Sequence, residues 1–583
     1  MQTRLQHFAE SRFAVPLILA VFGLSITLQW NGSQSVAVAD EVGYVVGGVN
    51  LITTGSFTNS FGEPELWFPP VYPVLIGVCS LGGWIDPFVV ARVLSVIAAV
   101  ATLLILHRSV ERVLRSAEDV DRERVELTQS PPTLRRWLSA LWLPRVRQPV
   151  AIRHDTTDAG SVGIVPIHPA RGVAKSGARL SPQIVALIAT ALLAMNPTFQ
   201  IFANRALSES LALCLSLLGL SVWLRGPQTL RNAAVGAAAI GLAALTRPEC
   251  LLVLPLWCAI DLLRRRDFLT LQRGLVAGVV LAAMLLPYAA YLRAHTGRWT
   301  ISNKSEVNLA AGRAAFHQTP REYIDEASLR MGYFPVESSL TTELQRFRFN
   351  SEKLVAAFGE TYFRPTFAVA FGLLMLAGAV ALWRRGQSRV VLCLLAGLPY
   401  LAVVAVYDVG GPKNLHLALP AFTWLAAVGV AASLQSRRWV LALPVVAVVG
   451  LLMLEGTTRY PRWVRSESFA VGSGLREAGL RLRSAQLPRG AMYEFGATAA
   501  YYSGMERRYL TPNRLDTVLA YIDRHEPADE VVYLTVSSTT QKALHETTNE
   551  LLAGPQPRLE RVLEVDSPER VVIYRVIRRA SAS

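Results

Sequence analysis

Residues 13–30 read FAVPLILAVFGLSITLQW, a run without a single charge, and the next charged residues after it are Asp40-Glu41. About twenty apolar residues suffice to carry a helix across the hydrocarbon core of a bilayer. Arg4 and Arg12 precede the run, so its basic end belongs inside and Asp40 falls just beyond the outer face. Ala37-Val38-Ala39 supplies an A-x-A pattern of the kind that ends a signal peptide. The apolar run is long for a signal core, and polar residues separate it from that pattern, so the reading is an uncleaved first span.

The rest of the chain repeats this alternation of apolar runs and basic clusters. Phe68-Pro69-Pro70-Val71-Tyr72-Pro73 opens an apolar segment that ends at Gly82-Gly83, and Pro87–Leu106 follows, ending in His107-Arg108. Both cannot cross if Asp40 is outside and Arg108 inside. The prolines make the first a helix lying at the outer interface and leave Pro87–Leu106 as the second span. Further spans are expected at Pro182–Phe202, Leu207–Leu224, Leu271–Tyr291, Ala368–Trp383, Val390–Val406, Leu417–Leu434 and Trp439–Leu454. Asn232–Leu263 is basic at both ends and broken by Thr246-Arg247-Pro248-Glu249, so it reads as two short helices meeting at a polar tip. The expected fold class is mainly α: about eleven spans followed by a small soluble α/β domain.

This gives four regions. Residues 1–106 hold two spans and an outer loop. Residues 107–180 carry 13 Lys/Arg against 8 Asp/Glu, with Pro131-Pro132, and are expected to be a poorly ordered cytoplasmic insertion. Residues 181–455 hold the remaining spans and a polar outer loop at 293–365, too long for a simple connection. Residues 456–583 form the extracytoplasmic domain, helical at Gly474–Ser484 and strand-like at Val531–Val536 and Arg570–Val576.

The net charge of +15 first suggests nucleic acid. The basic residues, however, sit between and beside apolar runs, as positive-inside flanks and phospholipid contacts do. Nucleic acid is therefore excluded as a partner and membrane lipid expected. All five cysteines lie in apolar stretches, which argues for small core residues rather than disulfides or a zinc site.

Charged groups at membrane depth are costly and so are functional candidates. Three clusters qualify. Asp40-Glu41 with Tyr44 is either a base for an incoming hydroxyl or a solvated helix cap. Thr246-Arg247-Pro248-Glu249 either serves chemistry or locks its hairpin with an ion pair. Lys413-Asn414-Leu415-His416 follows Asp408-Val409-Gly410-Gly411; its lysine is either an interface anchor or, beside the histidine, a phosphate ligand.

Taken in order, these clusters, the Pro-Pro-x-Tyr-Pro segment with Tyr72, Leu207-Ser208-Glu209 and a late Lys413/His416-x-x-x-Pro420 span resemble the C-type fold of membrane glycosyltransferases. The branch is that of protein O-mannosyltransferases and bacterial aminoarabinose transferases, glycosyltransferase family 39 and its relatives, and the likeness covers about residues 13–455. The resemblance implies a polyprenyl-phosphate sugar donor, a site at the outer face of a bacterial inner membrane, and a lipid, glycan or protein acceptor. It places the catalytic aspartate at Asp40, with Glu41 beside it, and a second acidic residue loosely at Glu63 or Glu65. It also implies inversion at the sugar carbon, with a divalent cation optional. Two features depart from the family pattern: Trp67-Phe68 stands before Pro69 where relatives often place a basic residue, and the insertion at 107–180 is atypical.

The chemistry this implies needs an acceptor hydroxyl held opposite a lipid phosphate, a base for its proton, and cations for the departing charge. Asp40 is expected as the base and Lys413, His416 and Arg247 as the cations, with Glu65, Tyr72 and Glu209 lining the substrate. The rival reading is a transporter or lipid flippase, against which stand the absence of repeated halves and the long outer loops.

Overall fold

The computed structural model describes residues 13–29, 39–129 except 61, 181–303 except 226–228, 339–398 except 362–364, 412–435 and 450. In the tail it describes 473–578 except 495, 497, 511–513, 538–550, 552–555 and 567–569. Apolar helices dominate the first part: Ala14–Gln29 (α1), Ala39–Thr54 (α2), Val71–Cys79 (α3) and Pro87–Gln129 (α4). Pro182–Ala194 (α5), Pro197–Ala203 (α6), Glu209–Trp223 (α7) and Leu230–Ala244 (α8) follow. Then come Val253–Arg265 (α9), Phe268–Thr296 (α10), Leu340–Thr361 (α11), Pro365–Arg384 (α12), Ser388–Leu395 (α13) and Leu419–Gln435 (α14).

Among the described residues three helical stretches are long and apolar enough to cross a membrane: Pro87–Ser116, Phe268–Thr296 and Leu415–Leu434. Four shorter apolar helices accompany them: Ala14–Thr27, Glu209–Trp223, Leu230–Ala244 and Ala368–Arg384. Leu271, Leu275, Val279 and Leu286 stand exposed along α10. Such a stripe suits lipid rather than water. The chain is an integral membrane protein. The expected eleven spans are not all of full length, and the last of them, 439–454, lies outside the described residues except for residue 450, as do residues 399–406 of the expected span 390–406.

The departures from simple spans have local causes. The expected span Pro182–Phe202 is two helices bent by 67°. Asn196 accepts a hydrogen bond from the Phe199 N–H at 3.0 Å as an N-cap, and Pro197 opens the second helix without a donor of its own. α8 stops at Ala244, and after a 3₁₀ turn at Pro248–Leu252 the chain turns back as α9, the hairpin that the Arg-Pro pair suggested. α3 is 9 residues long, about 14 Å at 1.5 Å per residue, and does not cross. α4 continues to Gln129, so the start of the 107–180 region extends a helix instead of breaking order at His107; residues 130–180 lie outside the described residues.

Small residues let helices approach closely. A Cβ on Gly48 of α2 would stand 2.1 Å from the Pro73 carbonyl oxygen, and one on Gly77 of α3 2.2 Å from that of Gly48. α12 and α14 cross in the same way, with Gly378 against Leu425 and Gly429 against Leu374. Without a hydrophobic drive inside lipid, such backbone proximity carries much of the association.

At the end of the bundle that bears Arg264–Arg266, Asp261 of α9 is fully buried. It receives the Arg389 guanidinium at 2.6 and 2.8 Å and Arg273 at 3.3 Å, so one carboxylate ties α9, α10 and α13.

The tail is a sheet with helices on both faces: Ser473–Ser484 (α15), Ala491–Glu494 (β1), Thr498–Ser503 (α16), Glu506–Tyr509 (β2), Leu515–His525 (α17), Val532–Val536 (β3), Leu559–Val565 (β4) and Val571–Val576 (β5). Strand order is β2-β1-β3-β5-β4, parallel from β2 to β3 and antiparallel beyond. Alternate residues face opposite sides. Tyr493 and Leu534 join a core beneath α17, whereas Met492 and Tyr533 join one beneath α15 and α16.

Candidate active site

Asp40 and Glu41 occupy the first turn of α2, where carboxylates suit the positive end of the helix dipole. Their surroundings differ. Asp40 is half-buried, while Glu41 is 1% exposed and accepts a hydrogen bond from the Arg205 Nε at 3.0 Å. Arg92 of α4, itself buried, lies within electrostatic reach of both Glu41 and Arg205. One helical turn on, the Tyr44 hydroxyl is 2.8 Å from the Ser208 Oγ. The bend at Asn196 delivers residues 204–208, between α6 and α7, to the foot of α2.

The aromatic residues of the Pro-Pro-x-Tyr-Pro segment hold this foot in place. Tyr44 packs on Phe68, ring centroids 4.4 Å apart, and edge-on against Tyr72 at 5.3 Å. Tyr72 donates to the Ala91 carbonyl at 2.8 Å and lies 3.0 Å from the Ser95 Oγ, which bonds the Leu207 carbonyl. Tyr72 therefore braces α2 against α4 and, through Ser95, the 204–208 connection, and its hydroxyl is spent within the protein.

The second cluster meets the first. Glu209 opens α7 directly after Ser208 and accepts from Arg247 Nη1 at 2.6 Å, and the other Arg247 nitrogen reaches Glu249 at 3.2 Å. Asp40, Glu209 and Arg247 all act electrostatically on Tyr44. His416, 1% exposed on the 3₁₀ turn Pro412–Ala418, acts on Glu249 and places its ring 5.6 Å from Phe202. Lys413 shares that turn, but its side chain lies outside the described residues. α11 covers the turn through Leu354 on Leu415, and Arg346 and Asn350 continue the same buried face.

Six of the eight candidates from the sequence, Asp40, Glu41, Tyr72, Glu209, Arg247 and His416, thus lie in one connected polar region. Glu65 does not join it: its Oε1 accepts the Trp67 and Phe68 N–H groups at 2.8 and 3.1 Å and so shapes its own loop beside Gly47. Glu63 is half-buried in that loop. Arg92 and Arg205 went unnoticed in the sequence. A signal existed, since Arg92 interrupts the apolar run Pro87–Leu106 and an ionisable residue there is a functional candidate by default. Among the described residues no three His, Cys, Asp or Glu side chains gather as metal ligands.

No family model and no curated protein matches the chain. Solved structures do. ArnT from Cupriavidus metallidurans bound to undecaprenyl phosphate aligns over 97% of this chain and 98% of its own, at 13% identity and a TM-score of 0.53. The oligosaccharyltransferase AglB from Archaeoglobus fulgidus, in complex with an inhibitory peptide and a dolichol-phosphate, aligns over 90% of this chain and 70% of its own, at 11% identity and a TM-score of 0.51. The chain has the C-type glycosyltransferase fold. The alignment with ArnT spans the C-terminal sheet domain as well as the bundle.

Proposed function

We propose that the protein is a membrane glycosyltransferase that moves a sugar from a polyprenyl-phosphate donor to an acceptor hydroxyl at the outer face of a bacterial inner membrane. The observation that carries this reading is the meeting of Asp40-Glu41 with Arg205, Glu209 and Arg247 at one end of a C-type fold. Structural neighbours holding undecaprenyl phosphate and dolichol-phosphate support the class of donor.

Within this reading the half-buried Asp40 is the base. The acceptor oxygen attacks the anomeric carbon as the carbon–oxygen bond to phosphate breaks. Asp40 takes the hydroxyl proton, and the polyprenyl phosphate leaves with the bonding pair. Stabilising that charge needs positive groups fixed in advance. Arg247, which the sequence suggested, is already held between Glu209 and Glu249, so it serves as a clamp on α7 and α8. Arg205 and Arg92, which flank Glu41, are better placed to receive phosphate, with Lys413 and His416 approaching on the 3₁₀ turn. Glu41 then orients Arg205 and is not a second base.

The test is direct. Purified protein in nanodiscs with a labelled polyprenyl-phosphate sugar is expected to release unlabelled polyprenyl phosphate and pass the label to a hydroxyl acceptor or to water. Intact donor after prolonged incubation across a panel of donor sugars would remove this reading.

A further inference from the structure

The C-terminal domain is seated on the elements that carry the site. α16 touches α2. Its Tyr501 and Tyr502 rings stand 5.4 and 5.7 Å from the ring of Phe88, in the first turn of α4. The Arg476 guanidinium lies over the Tyr502 ring, 5.0 Å from its centroid, and Arg476 reaches Asp86 at 3.8 Å. Arg507 of β2 donates to the Ser60 hydroxyl at 2.9 Å, in the loop after α2. Burial pushes the Tyr502 hydroxyl up to about 12, so it stays neutral over the working pH range.

Phe88 and Arg92 are one helical turn apart on α4 and share a face. Tyr502 lies near Arg92, which in turn lies near Glu41 and Arg205. A path therefore runs by contact from Arg476 through Tyr502 to Phe88, along one turn of α4 to Arg92, and by proximity from Arg92 to the Glu41–Arg205 pair. We infer that the C-terminal domain is part of the working site, with Tyr502 as a positioning residue that fixes Arg92, and through it Glu41 and Arg205, for uptake of a lipid phosphate. The ligand named here rests on the proposed function; the mechanical link does not.

Two ring contacts and a cation over a ring are each worth a factor of a few, up to roughly tenfold. Tyr502→Ala in the full chain is expected to weaken binding of undecaprenyl phosphate about fivefold to tenfold. Tyr502→Phe keeps the stacking surface and is expected to restore it. Arg481→Ala, which removes only an exposed pair with Glu477 on α15, is expected to bind as the parent does. Hydrogen exchange on the same samples supplies the independent readout. Tyr502→Ala is expected to raise exchange at residues 39–46 and leave strands β1, β3 and β5 protected.

Parent-like affinity and parent-like exchange at 39–46 in Tyr502→Ala overturns the inference. If the parent itself fails to bind the lipid, the donor assignment falls and the exchange at 39–46 alone decides the link. If Tyr502→Ala loses protection in the sheet, Arg476→Gln takes its place. It removes the cation and leaves the ring seated, and unchanged exchange at 39–46 in that variant likewise overturns the link.

Discussion

Two adjacent carboxylates, Asp40 and Glu41, end in different circumstances because α2 turns them by about 100° relative to each other. The sequence presents them as a pair; only packing against residues 204–208 shows that Glu41 is buried against Arg205 while Asp40 stays half-buried. This separation predicts opposite behaviour. Arg205→Ala takes a bonded cation from a buried carboxylate while Arg92 stays nearby, a change expected to cost about 1–3 kcal/mol. The variant should show a clearly lower melting temperature and lose donor binding, measured by thermal denaturation with and without undecaprenyl phosphate. A parent-like melting temperature would mean that the pair contributes little. His416, Glu209 and Arg247 were legible as polar residues in apolar surroundings. Of Arg247's two partners, Glu249 was offered by the motif itself. Glu209 was not, because it lies 38 residues away and no local pattern joins the two.

At the scale of elements, what the sequence displays best is punctuation. The Arg247-Pro248 break in the hairpin and the prolines ahead of α3 both mark real ends. The 67° bend at Asn196-Pro197 is written in the same chemistry, yet continuous hydrophobicity on both sides concealed it. Close crossings are hidden further, since a glycine in a helix shows nothing of what lies opposite. Gly48→Ala would drive a methyl group into the Pro73 carbonyl. It is expected to destabilise the protein by about 1–3 kcal/mol, the usual range for overpacking, and to lower activity because α2 carries Asp40. Thermal melting with an activity assay checks this, and unchanged values for both would show that α2 and α3 can separate at no cost. The Asp261 triad makes a parallel case at the other end of the bundle. Asp261→Ala leaves the buried Arg273 without its ion pair, and a loss of about 3–5 kcal/mol is expected, read by denaturation in detergent.

At the scale of the molecule, hydropathy alone identifies a membrane helical bundle with a soluble tail, and the order of the polar clusters suggests its fold. The number of spans was less legible, because broken and short helices share the hydropathy of full spans. The positive-inside reading puts Asp40 and the tail on one side, but it cannot seat the tail on the bundle, since Tyr502, Arg476 and Arg507 resemble any surface residues until Phe88, Asp86 and Ser60 are found beside them. Asp40 and the tail therefore share one side, and the basic cluster Arg264–Arg266 lies on the other. Single cysteines introduced at Arg481 and Arg265 should differ in reactivity toward an impermeant thiol reagent in intact cells, the first labelled and the second protected. Equal labelling of the two would contradict this arrangement.

The central claim is that Asp40 takes a proton during sugar transfer, and Asp40→Asn tests it most directly. Asparagine keeps the size, and in the first turn of α2 it gives up only the charge's interaction with the helix dipole, about 0.3–1 kcal/mol, so folding should survive. It cannot accept the proton. Positioned general bases contribute roughly 10²–10⁴-fold. Turnover of a labelled polyprenyl-phosphate sugar by Asp40→Asn should fall by about that factor, with affinity for undecaprenyl phosphate close to the parent's. Near-normal turnover with binding intact would contradict the account and leave Asp40 a carboxylate that only favours the start of α2.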